Sequence, residues 1–517
     1  MHNETAEQMY TKCEGERHTY LDRARTCSKL TLPYIMPDDG FSSHSRLETP
    51  FQGIGARGVN NLASKLLLAL LPPNAPSFRL NVDEYLLTQE GAPEEILTEI
   101  ENTLQRIEES VMDEISAQSY RVGLHEALKH LIITGNALIY LPDEGGLRVF
   151  HLDRFVIKRD PMGNILYMAT KETVSHSALP EEMQEALNVY NKDFSEKCDL
   201  YTAIYRCCEG FKVIQDIKGI PMPTEGTFPL DKCPYIPLRF SKIDGENYGR
   251  GYVEEYLGDL QSLETLTQAI VEGSAAAAKV LFLVNPNGTT RPRTLAESPN
   301  GAITQGNAAD VSVLQLNKFN DFRVAQATMA EIKDRLSQAF LLQSGVVRQA
   351  ERVTAEEIRM LSQELESSLG GLYSLLSNEL QLPMIKRLLD MMKKNKRIPA
   401  LPKDIVNPVI ITGVEALGRG NDLQKLDLFL AGASQVVGPQ AVAEFLNVEE
   451  YFSRRATALG IKTAGLVKSK DELMAEKQQQ QQALQAQQLV QSLGPSTIKA
   501  ISDQQKANPE QQQPEGE

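Results

Sequence analysis

The chain has 517 residues, 42% of them hydrophobic, and a formal net charge of −15 at pH 7. Its length predicts several packed units, and its acidic balance argues against a protein that grips nucleic acid by neutralising phosphates, although not against one past which nucleic acid slides. The most apolar run, Leu66 to Leu71, is far shorter than the roughly 20 residues of a membrane span, and the polar start of the chain has no secretory-signal pattern.

The first half of the chain alternates helical periodicity with a β-rich region. Residues 5–30 predict a polar helix, and residues 56–71 predict an amphipathic helix that a pair of prolines ends. Further helices are expected at 92–117 and 121–135. Between 136 and 240, short β-branched and aromatic runs separated by turn signals predict a mostly antiparallel β unit.

From residue 250 the pattern becomes strongly helical. Apolar residues recur at steps of three and four and therefore share one helical stripe: Val253, Leu257, Leu260, Leu263, Leu266 and Ile270. A short strand is expected at 280–284, followed by an excursion rich in Gly, Pro and Asn. A second strand within 311–316 and a second helix at 322–342 complete this region.

A break at 343–353 separates this region from a long helix. Thr354 and Glu357 form a capping box, and the leucine stripe behind it predicts a helix that ends near Pro383. A further helix is expected at about 421–432. The last forty residues hold fourteen glutamines. They offer too little apolar surface to offset the entropy of ordering, so the chain end is expected to be disordered.

One motif has a ligand-binding precedent. Gly53 to Gly58 match G-x-G-x-x-G and a helix follows, but a Pro-bearing turn rather than a strand precedes them. A tight turn into a helix therefore explains the glycines better than a dinucleotide site does. No G-x-x-x-x-G-K-[ST] loop, G-x-S-x-G elbow, H-E-x-x-H pair or EF-hand loop occurs in the sequence. The chain is predicted to be no enzyme and to use no cofactor.

Residues that commonly bind metals are scattered. The six cysteines form no C-x-x-C pair, and the seven histidines complete no zinc set at ligand spacing. His125 and His130 are five apart on a predicted helix, so they lie on different faces and are not expected to share a metal. The sequence thus predicts no metal site and favours an assembly role.

Seven long segments between residues 49 and 423 have an idiosyncratic sequence. They are TPFQGIGARGVNNLASKLLLALLP (49–72), SYRVGLHEALKHLIITGNALIYLP (119–142), RDPMGNIL (159–166), YGRGYVEEYLGDLQSLETL (248–266), ERVTAEEIR (351–359), LGGLYSLLSNELQLP (369–383) and TGVEALGRGNDL (412–423). In this order they resemble the signature segments of the portal, or head-to-tail connector, proteins of short-tailed, podovirus-type phages with double-stranded DNA.

The resemblance implies a mixed α+β, predominantly α-helical subunit with the portal fold, which assembles into a twelve-subunit ring around a central channel. Phage DNA would enter the capsid through this channel during packaging and leave through it at ejection. The implied partners are further copies of the chain, double-stranded DNA in transient, sequence-independent contact, the large terminase subunit, scaffolding and major capsid proteins, the tail adaptor and internal core proteins. No membrane is implied. The protein would be made in the host cytoplasm and reside at the portal vertex of the virion.

The parts of a portal subunit can be assigned to this chain by the same resemblance. They are an N-terminal helix and extended segment (1–49), a wing (50–249), a first stem helix (250–279), a clip (280–321), a second stem helix (322–342), a tunnel loop (343–353), a long wing helix with a return strand (354–419), a crown (420–495) and a disordered tail (496–517).

Elementary geometry is consistent with the implied ring. Twelve stem helices of about 45 Å length, spaced about 10 Å apart, give a circle of about 19 Å radius. Subtracting a helix radius of about 5 Å leaves a bore of about 28 Å, wide enough for a DNA duplex. Residues 250–279 carry two basic and five acidic side chains. An acidic wall would keep phosphates from adhering.

The candidate site residues lie in two segments. In the implied tunnel loop these are Gln343, Arg348, Gln349 and Arg352. Its two arginines would present donors to phosphates without reading bases, as a sparse grip or valve. The alternative for Arg352 is an ion pair with Glu351, Glu356 or a neighbouring subunit.

In the implied clip the candidates are Arg291 and Arg293, which flank Pro292 in an exposed excursion. They suit the docking of a protein partner, and a merely solvated loop explains them equally well.

Two other classes of protein stay open from the residues alone. One is a helical scaffolding or adaptor protein of virion assembly that oligomerises without enclosing DNA. A ring with a central hole in electron micrographs would exclude it. The other is an enzyme with an unrecognised site, for instance one that binds a nucleotide at Gly53–Gly58. A calorimetric titration without nucleotide binding would exclude that one.

Overall fold

A computed structural model describes most of the first 400 residues. The described ranges are 4–42, 44–72, 77–82, 94–179, 181–187, 197–208, 210–222, 226–277, 281–299, 301–314, 319–342, 365, 367–369, 371–399, 406–410, 428–435 and 451. The chain divides into two compact units, Met1–Ala416 and Leu417–Glu517. In the second unit the description covers a helical stretch at 428–435 and Tyr451. The predicted tunnel loop and tail, and most of the predicted crown, lie outside the described residues.

Helices make up much of the first unit. In chain order they are α1 (Ala6–Glu14), α2 (His18–Lys29), α3 (Ile54–Leu70), α4 (Glu94–Ala117), α5 (Tyr120–Thr134), α6 (Glu181–Ala186), α7 (Tyr252–Glu255), α8 (Leu257–Ala277), α9 (Pro292–Glu297), α10 (Phe319–Ala339), α11 (Leu372–Leu376) and α12 (Leu382–Lys394). These bounds confirm the helices predicted over 56–71, 92–117 and 121–135. Within the described residues, no helix has the length and apolar character that crossing a bilayer requires.

The strands pair in antiparallel fashion throughout the described residues. They are β1 (Phe78–Val82), β2 (Asn136–Tyr140), β3 (Arg148–Phe150), β4 (Phe155–Arg159), β5 (Ile165–Ser175), β6 (Lys197–Cys207), β7 (Gly210–Ile217), β8 (Ile220–Pro221), β9 (Gly226–Phe228), β10 (Tyr235–Arg239), β11 (Leu281–Val284), β12 (Val311–Leu314) and β13 (Val406–Ile410). A six-stranded sheet has the order β4-β5-β6-β7-β8, with β9 also paired to β7. A second sheet has the order β10-β2-β3, and β1-β13 and β11-β12 form pairs. The antiparallel β unit predicted for 136–240 is confirmed.

Helix α1 covers one face of the six-stranded sheet. Ala169 of β5 and Ala203 of β6 occupy directly paired positions, and their small side chains leave room above the sheet. Met9 and Tyr10 of α1 fill that room, and all four residues are buried in one cluster. The N-terminal helix predicted over 5–30 is therefore part of the core, although a short 3-10 turn at Gly15–Arg17 divides it into α1 and α2.

Two glycines of the G-x-G-x-x-G motif, Gly55 and Gly58, let other parts of the chain pack closely against the backbone. Helix α3 begins directly after Gly53. A Cβ atom on Gly55 would lie 2.4 Å from the carbonyl oxygen of Leu30, and one on Gly58 would lie 2.5 Å from the ring of Phe340. The second and third glycines of the motif therefore serve close packing within the chain. This packing favours the turn into a helix over the dinucleotide alternative.

The apolar stripe predicted from Val253 onward is split between two helices. α7 ends at Glu255, and Tyr256 leaves the helical conformation before α8 begins. The ring of Tyr256 packs 5.1 Å from that of Tyr252 and 5.9 Å from that of Phe340. α8 is thus 21 residues long, about 32 Å, rather than the roughly 45 Å expected.

The helix predicted to end near Pro383 continues instead to Lys394. A π-helical turn, Ser377–Gln381, joins α11 to α12, and the N–H group of Leu382 donates to the carbonyl oxygen of Ser377. Pro383 then falls in the first turn of α12, where a backbone N–H group is not needed. The prediction was wrong because a wide turn restarts the helix before the proline.

A buried ion pair joins the β10-β2-β3 sheet to this π-helical turn. The Nε and Nη2 atoms of Arg239 donate to one carboxylate oxygen of Glu379 at 2.9 and 2.7 Å. Arg159 lies close to this ion pair. Its burial and the nearby charge of Arg239 lower its pKa to about 10. The carboxylate of Glu379 therefore compensates two arginines in a site that is largely shielded from water.

We expect Glu379→Gln to lower the free energy of unfolding by about 3 kcal/mol, because it leaves two buried guanidinium groups without a countercharge. Urea denaturation followed by tyrosine fluorescence measures this change, since the chain contains no tryptophan. The matched control is Glu297→Gln, which removes a carboxylate paired at 2.8 Å with Arg293 on an exposed helix. It should change stability by at most about 0.5 kcal/mol. Equal losses in the two variants would contradict the role of Glu379.

Candidate functional site

Helices α8 and α10 and the strands between them form one long antiparallel segment, which we call the arm (residues 257–339). Its described cross-pairs, from the base outward, are Asp259 with Arg335, Gly273 with Phe322 and Leu281 with Leu314. The two halves keep nearly the same register from the helices into the β11-β12 ribbon. The strands predicted at 280–284 and within 311–316 are thereby confirmed as partners.

The arm is rooted in the main hydrophobic core only at its base. Leu260 and Leu263 of α8 and Ile332 and Leu336 of α10 are buried in that core. Beyond them, the described side chains of both helices are half-buried or exposed. The outer part of the arm is therefore covered chiefly by its own second half.

Farther out along the arm, Gly273 lets the two helices pack closely together. A Cβ atom on Gly273 would lie 2.8 Å from the ring of Phe322, so a larger residue would push the end of that ring away from α8. At the same level of the arm, Val271 is 50% exposed and Val324 is 67% exposed. These are large apolar side chains without a cover in the single subunit.

Polar side chains of α3 bind the carbonyl groups at the C-terminal end of α10. Asn61 donates to the carbonyl oxygens of Phe340 and Leu341, each at 3.0 Å. Lys65, which is 1% exposed, donates to the oxygen of Leu341 at 3.0 Å. A cation at a helix C-terminus also complements the helix dipole. These two residues fix the start of the segment predicted to be the tunnel loop.

Several acids predicted to line a channel bind groups of their own subunit. Asp259 pairs with Arg335 at 2.9 Å, and Glu254 pairs with Arg23 at 3.1 Å. Glu264 accepts the backbone N–H groups of residues 51 and 52 at 2.8 and 3.1 Å. Glu264 thus holds the arm on the body, whereas Asp259 joins the two arm helices and Glu254 joins α7 to α2. The arm helices still carry an excess, with six acidic and three basic residues in α8 and α10 together.

The tip of the arm is organised around the carboxylate of Asp310. This group accepts the N–H and hydroxyl groups of Thr289 at 2.8 and 3.2 Å, and the N–H group of Thr290 at 3.3 Å. The hydroxyl of Thr290 in turn accepts the N–H group of Asn307 at 2.9 Å. Desolvation raises the pKa of Asp310, but the hydrogen bonds from both threonines outweigh it and lower the pKa.

The two arginines predicted to lie in the clip differ in their surroundings. Arg293 on α9 forms an exposed pair with Glu297 at 2.8 Å. Arg291 precedes α9 and is exposed, and its side chain has no hydrogen-bond or ionic partner among the described residues. The sequence did not single out Thr290 or Asp310, although a threonine pair and an aspartate at the ends of a turn-rich stretch are typical of such hydrogen-bonded loops.

The tunnel-loop candidates, Gln343, Arg348, Gln349 and Arg352, lie outside the described residues. The structure does describe the end of α10, from which the segment that contains them begins. Leu341 has a positive φ of 53° and directs the chain away from α10. Asn61 and Lys65, which hold this turn, were not predicted as functional residues. Their signal in the sequence is two polar positions one turn apart on a largely apolar helix.

Comparison with known proteins gives consistent results over most of the chain. A family model described as bacteriophage head to tail connecting protein matches residues 3–467. The portal protein of Escherichia phage T7 is 41% identical over 516 residues, which cover 98% of this chain and 95% of that protein. The portal protein of Enterobacteria phage T3 is 41% identical over 479 residues, covering 91% and 89%.

Among solved structures, one titled "Virion of native gene transfer agent (GTA) particle" covers 79% of this chain and 90% of its own, at 11% identity and a TM-score of 0.37. A likeness at that TM-score does not by itself establish a shared fold. The assignment therefore rests on the sequence matches.

The chain belongs to the head-to-tail connecting, or portal, protein family of bacteriophages. It is a structural protein of the head-to-tail connection, and portal formation is its function. The resemblance found in the sequence is confirmed. The alternative of a scaffolding or adaptor protein is set aside by the same matches.

We expect Asp310→Ala to open the tip without disturbing the rest of the arm, because it removes the acceptor for both threonines. Limited proteolysis of the full chain should then cut within 285–310 at least about tenfold faster, in line with a loop that has lost its local order. Glu297→Ala is the control, since it breaks only an exposed pair on α9. Equal cleavage of the two variants would contradict the role of Asp310.

Proposed function

We propose that the chain forms the portal ring, with the arms of neighbouring subunits standing side by side around a DNA channel. The observation that supports this most directly is the arm itself. It is a long antiparallel pair of helices, anchored in the core at one end and left uncovered beyond it. An isolated subunit gains little from such an element, whereas a ring of subunits buries its flanks.

The length and charge of the arm suit this arrangement. Helices of about 32 Å form a shorter wall than expected, but the spacing between helices, and with it the bore of about 28 Å, depends on their packing rather than their length. The excess of acidic over basic residues in α8 and α10 would repel phosphates and let the duplex pass.

The segment after α10 is proposed to be the contact with DNA. Arg348 and Arg352 come shortly after the carbonyl groups that Asn61 and Lys65 hold. A loop with a fixed origin brings its arginines to the same place in every subunit. Together with Gln343 and Gln349 they would form a ring of donors for phosphate oxygens.

The tip of the arm is proposed to dock the large terminase subunit during packaging and the tail adaptor afterwards. Arg291 offers an exposed guanidinium group on a loop whose shape Asp310 fixes. Arg293 already has a partner in its own helix. We therefore assign the greater share of docking to Arg291. The wing and crown would contact scaffolding and capsid proteins.

The ring is tested by electron microscopy of the purified chain with rotational averaging. We expect annular particles with a central hole for the native chain, and loss of rings for the double variant Val271→Asp and Val324→Asp. Charges at these two uncovered positions would have to be buried between arms. Circular dichroism should show an unchanged helical content.

The matched control is Val122→Asp, since Val122 is 72% exposed on α5, outside the arm. This variant should still form rings. A compact monomer or dimer of the native chain under every assembly condition would refute the proposed ring. Normal rings from the double variant would refute the proposed contact between arms.

We expect Arg348→Ala to leave ring assembly intact and to reduce retention of packaged DNA, because each subunit loses a phosphate donor. Nuclease protection of packaged DNA measures the effect, with ring formation checked by microscopy. Arg291→Ala serves as the comparison, because it should impair docking of the terminase before any DNA is retained. Wild-type packaging and retention in Arg348→Ala would contradict the proposed grip.

A further inference from the structure

The fold brings two histidines and a glutamate together at the junction of two hydrophobic cores. Glu126 and His130 lie one turn apart on α5, and His151 comes directly after β3. One ligand atom from each residue lies within 4.8 Å of the other two. The helix separates His130 from His125, as the spacing predicts, but the chain returns His151 to its side. This proximity could not be read from the sequence.

His130 is the unusual member of this cluster. Its side chain is fully buried, at 0% exposure, and neither ring nitrogen has a hydrogen-bond partner among the described residues. Its ring meets that of His151 edge to face at 4.5 Å. A buried polar atom without a partner costs free energy, and such groups are rare unless a water or an ion satisfies them.

The orientation of His151 suits ligation. Its Nδ1 atom lies 3.0 Å from the carbonyl oxygen of Ile35. A carbonyl oxygen only accepts, so Nδ1 carries the proton and Nε2 keeps its lone pair. Metal-binding histidines usually have this arrangement, in which one nitrogen donates to a backbone carbonyl and the other binds the ion. Glu126 is exposed and provides access from solvent.

We propose that Glu126, His130 and His151 form a binding site for a divalent transition-metal ion, with Zn²⁺ as the best fit. Two imidazole nitrogens and one carboxylate oxygen are a known zinc ligand set that leaves the fourth position for water. Tetrahedral ligands lie about 3.3 Å apart at zinc bond lengths. Zinc binding would therefore draw the ligand atoms, which now lie within 4.8 Å of one another, up to about 1.5 Å closer together.

The ion would act as a structural cross-link between two parts of the chain. Leu128 and Leu131, beside His130, belong to the main core, whereas Leu152 and Phe155, after His151, belong to the core beneath the six-stranded sheet. A metal held between them would tie the helical body to the β unit. This role requires no chemistry at the open position.

The test uses the full chain without an affinity tag, because a histidine tag would itself bind zinc. After removal of metals with a chelator and dialysis against Zn²⁺, elemental analysis should find about one equivalent retained per chain. Zn²⁺ should raise the melting temperature by a few degrees. Co²⁺ in place of zinc should give visible tetrahedral bands without the charge-transfer band of a thiolate, which separates this site from the six cysteines.

Two variants remove a ligand without touching the buried histidine. Glu126→Gln removes the carboxylate charge, and His151→Asn keeps a donor for Ile35 while removing Nε2. Each should weaken zinc binding at least about tenfold. The control is His125→Asn, on the same helix but with its ring at Ser64, 3.3 Å away. It should bind zinc like the native chain. No retained zinc in the native chain, or equal retention in all three variants, would overturn the proposal.

Discussion

The arm depends on one junction, the point where α10 ends against α3. There Asn61 and Lys65 donate hydrogen bonds to the carbonyl oxygens just past the helix, a place where carbonyl groups commonly lack intrahelical donors. The ring of Phe340 enters the gap left by Gly58, so the same turn is held by packing as well. Together with the buried apolar residues of α8 and α10 at the base of the arm, these contacts fix the end of the arm that meets the body.

The acidic residues of the arm and its base have two uses at once. Asp259 joins the two helices of the arm, Glu264 ties the arm to the body through backbone N–H groups, and Glu254 ties α7 to α2 through an arginine. A ring built from such subunits would carry an acidic surface whose charges are partly committed to structure. The composition shows that the electrostatic field of the arm is negative. The contacts show which of the acidic residues also stabilise the structure.

Much of this architecture was predictable because it depends on local periodicity. The amphipathic helix of α3, the antiparallel β unit and the strand–excursion–strand pattern of the tip all appear in the spacing of apolar and turn residues. The break at Tyr256, the π-helical turn before Pro383 and the meeting of His130 with His151 were not predictable. They depend on contacts between residues far apart in the chain, such as the packing of Tyr256 on Phe340. The predicted wing, stem, clip and crown boundaries stay predictions.

The π-helical turn at Ser377–Gln381 also changes the phase of α12. One residue more than an α-helical turn requires rotates the rest of the helix by about 100°. That rotation is what lets Met384 and Leu388 enter the core while Arg387 reaches Asp143 at 2.7 Å. Deleting a single residue from the turn would restore a regular helix but rotate Met384 and Leu388 out of their present packing in the core. The extra residue thus sets the rotation of α12 about its own axis. Natural insertions and deletions should therefore be absent from this turn.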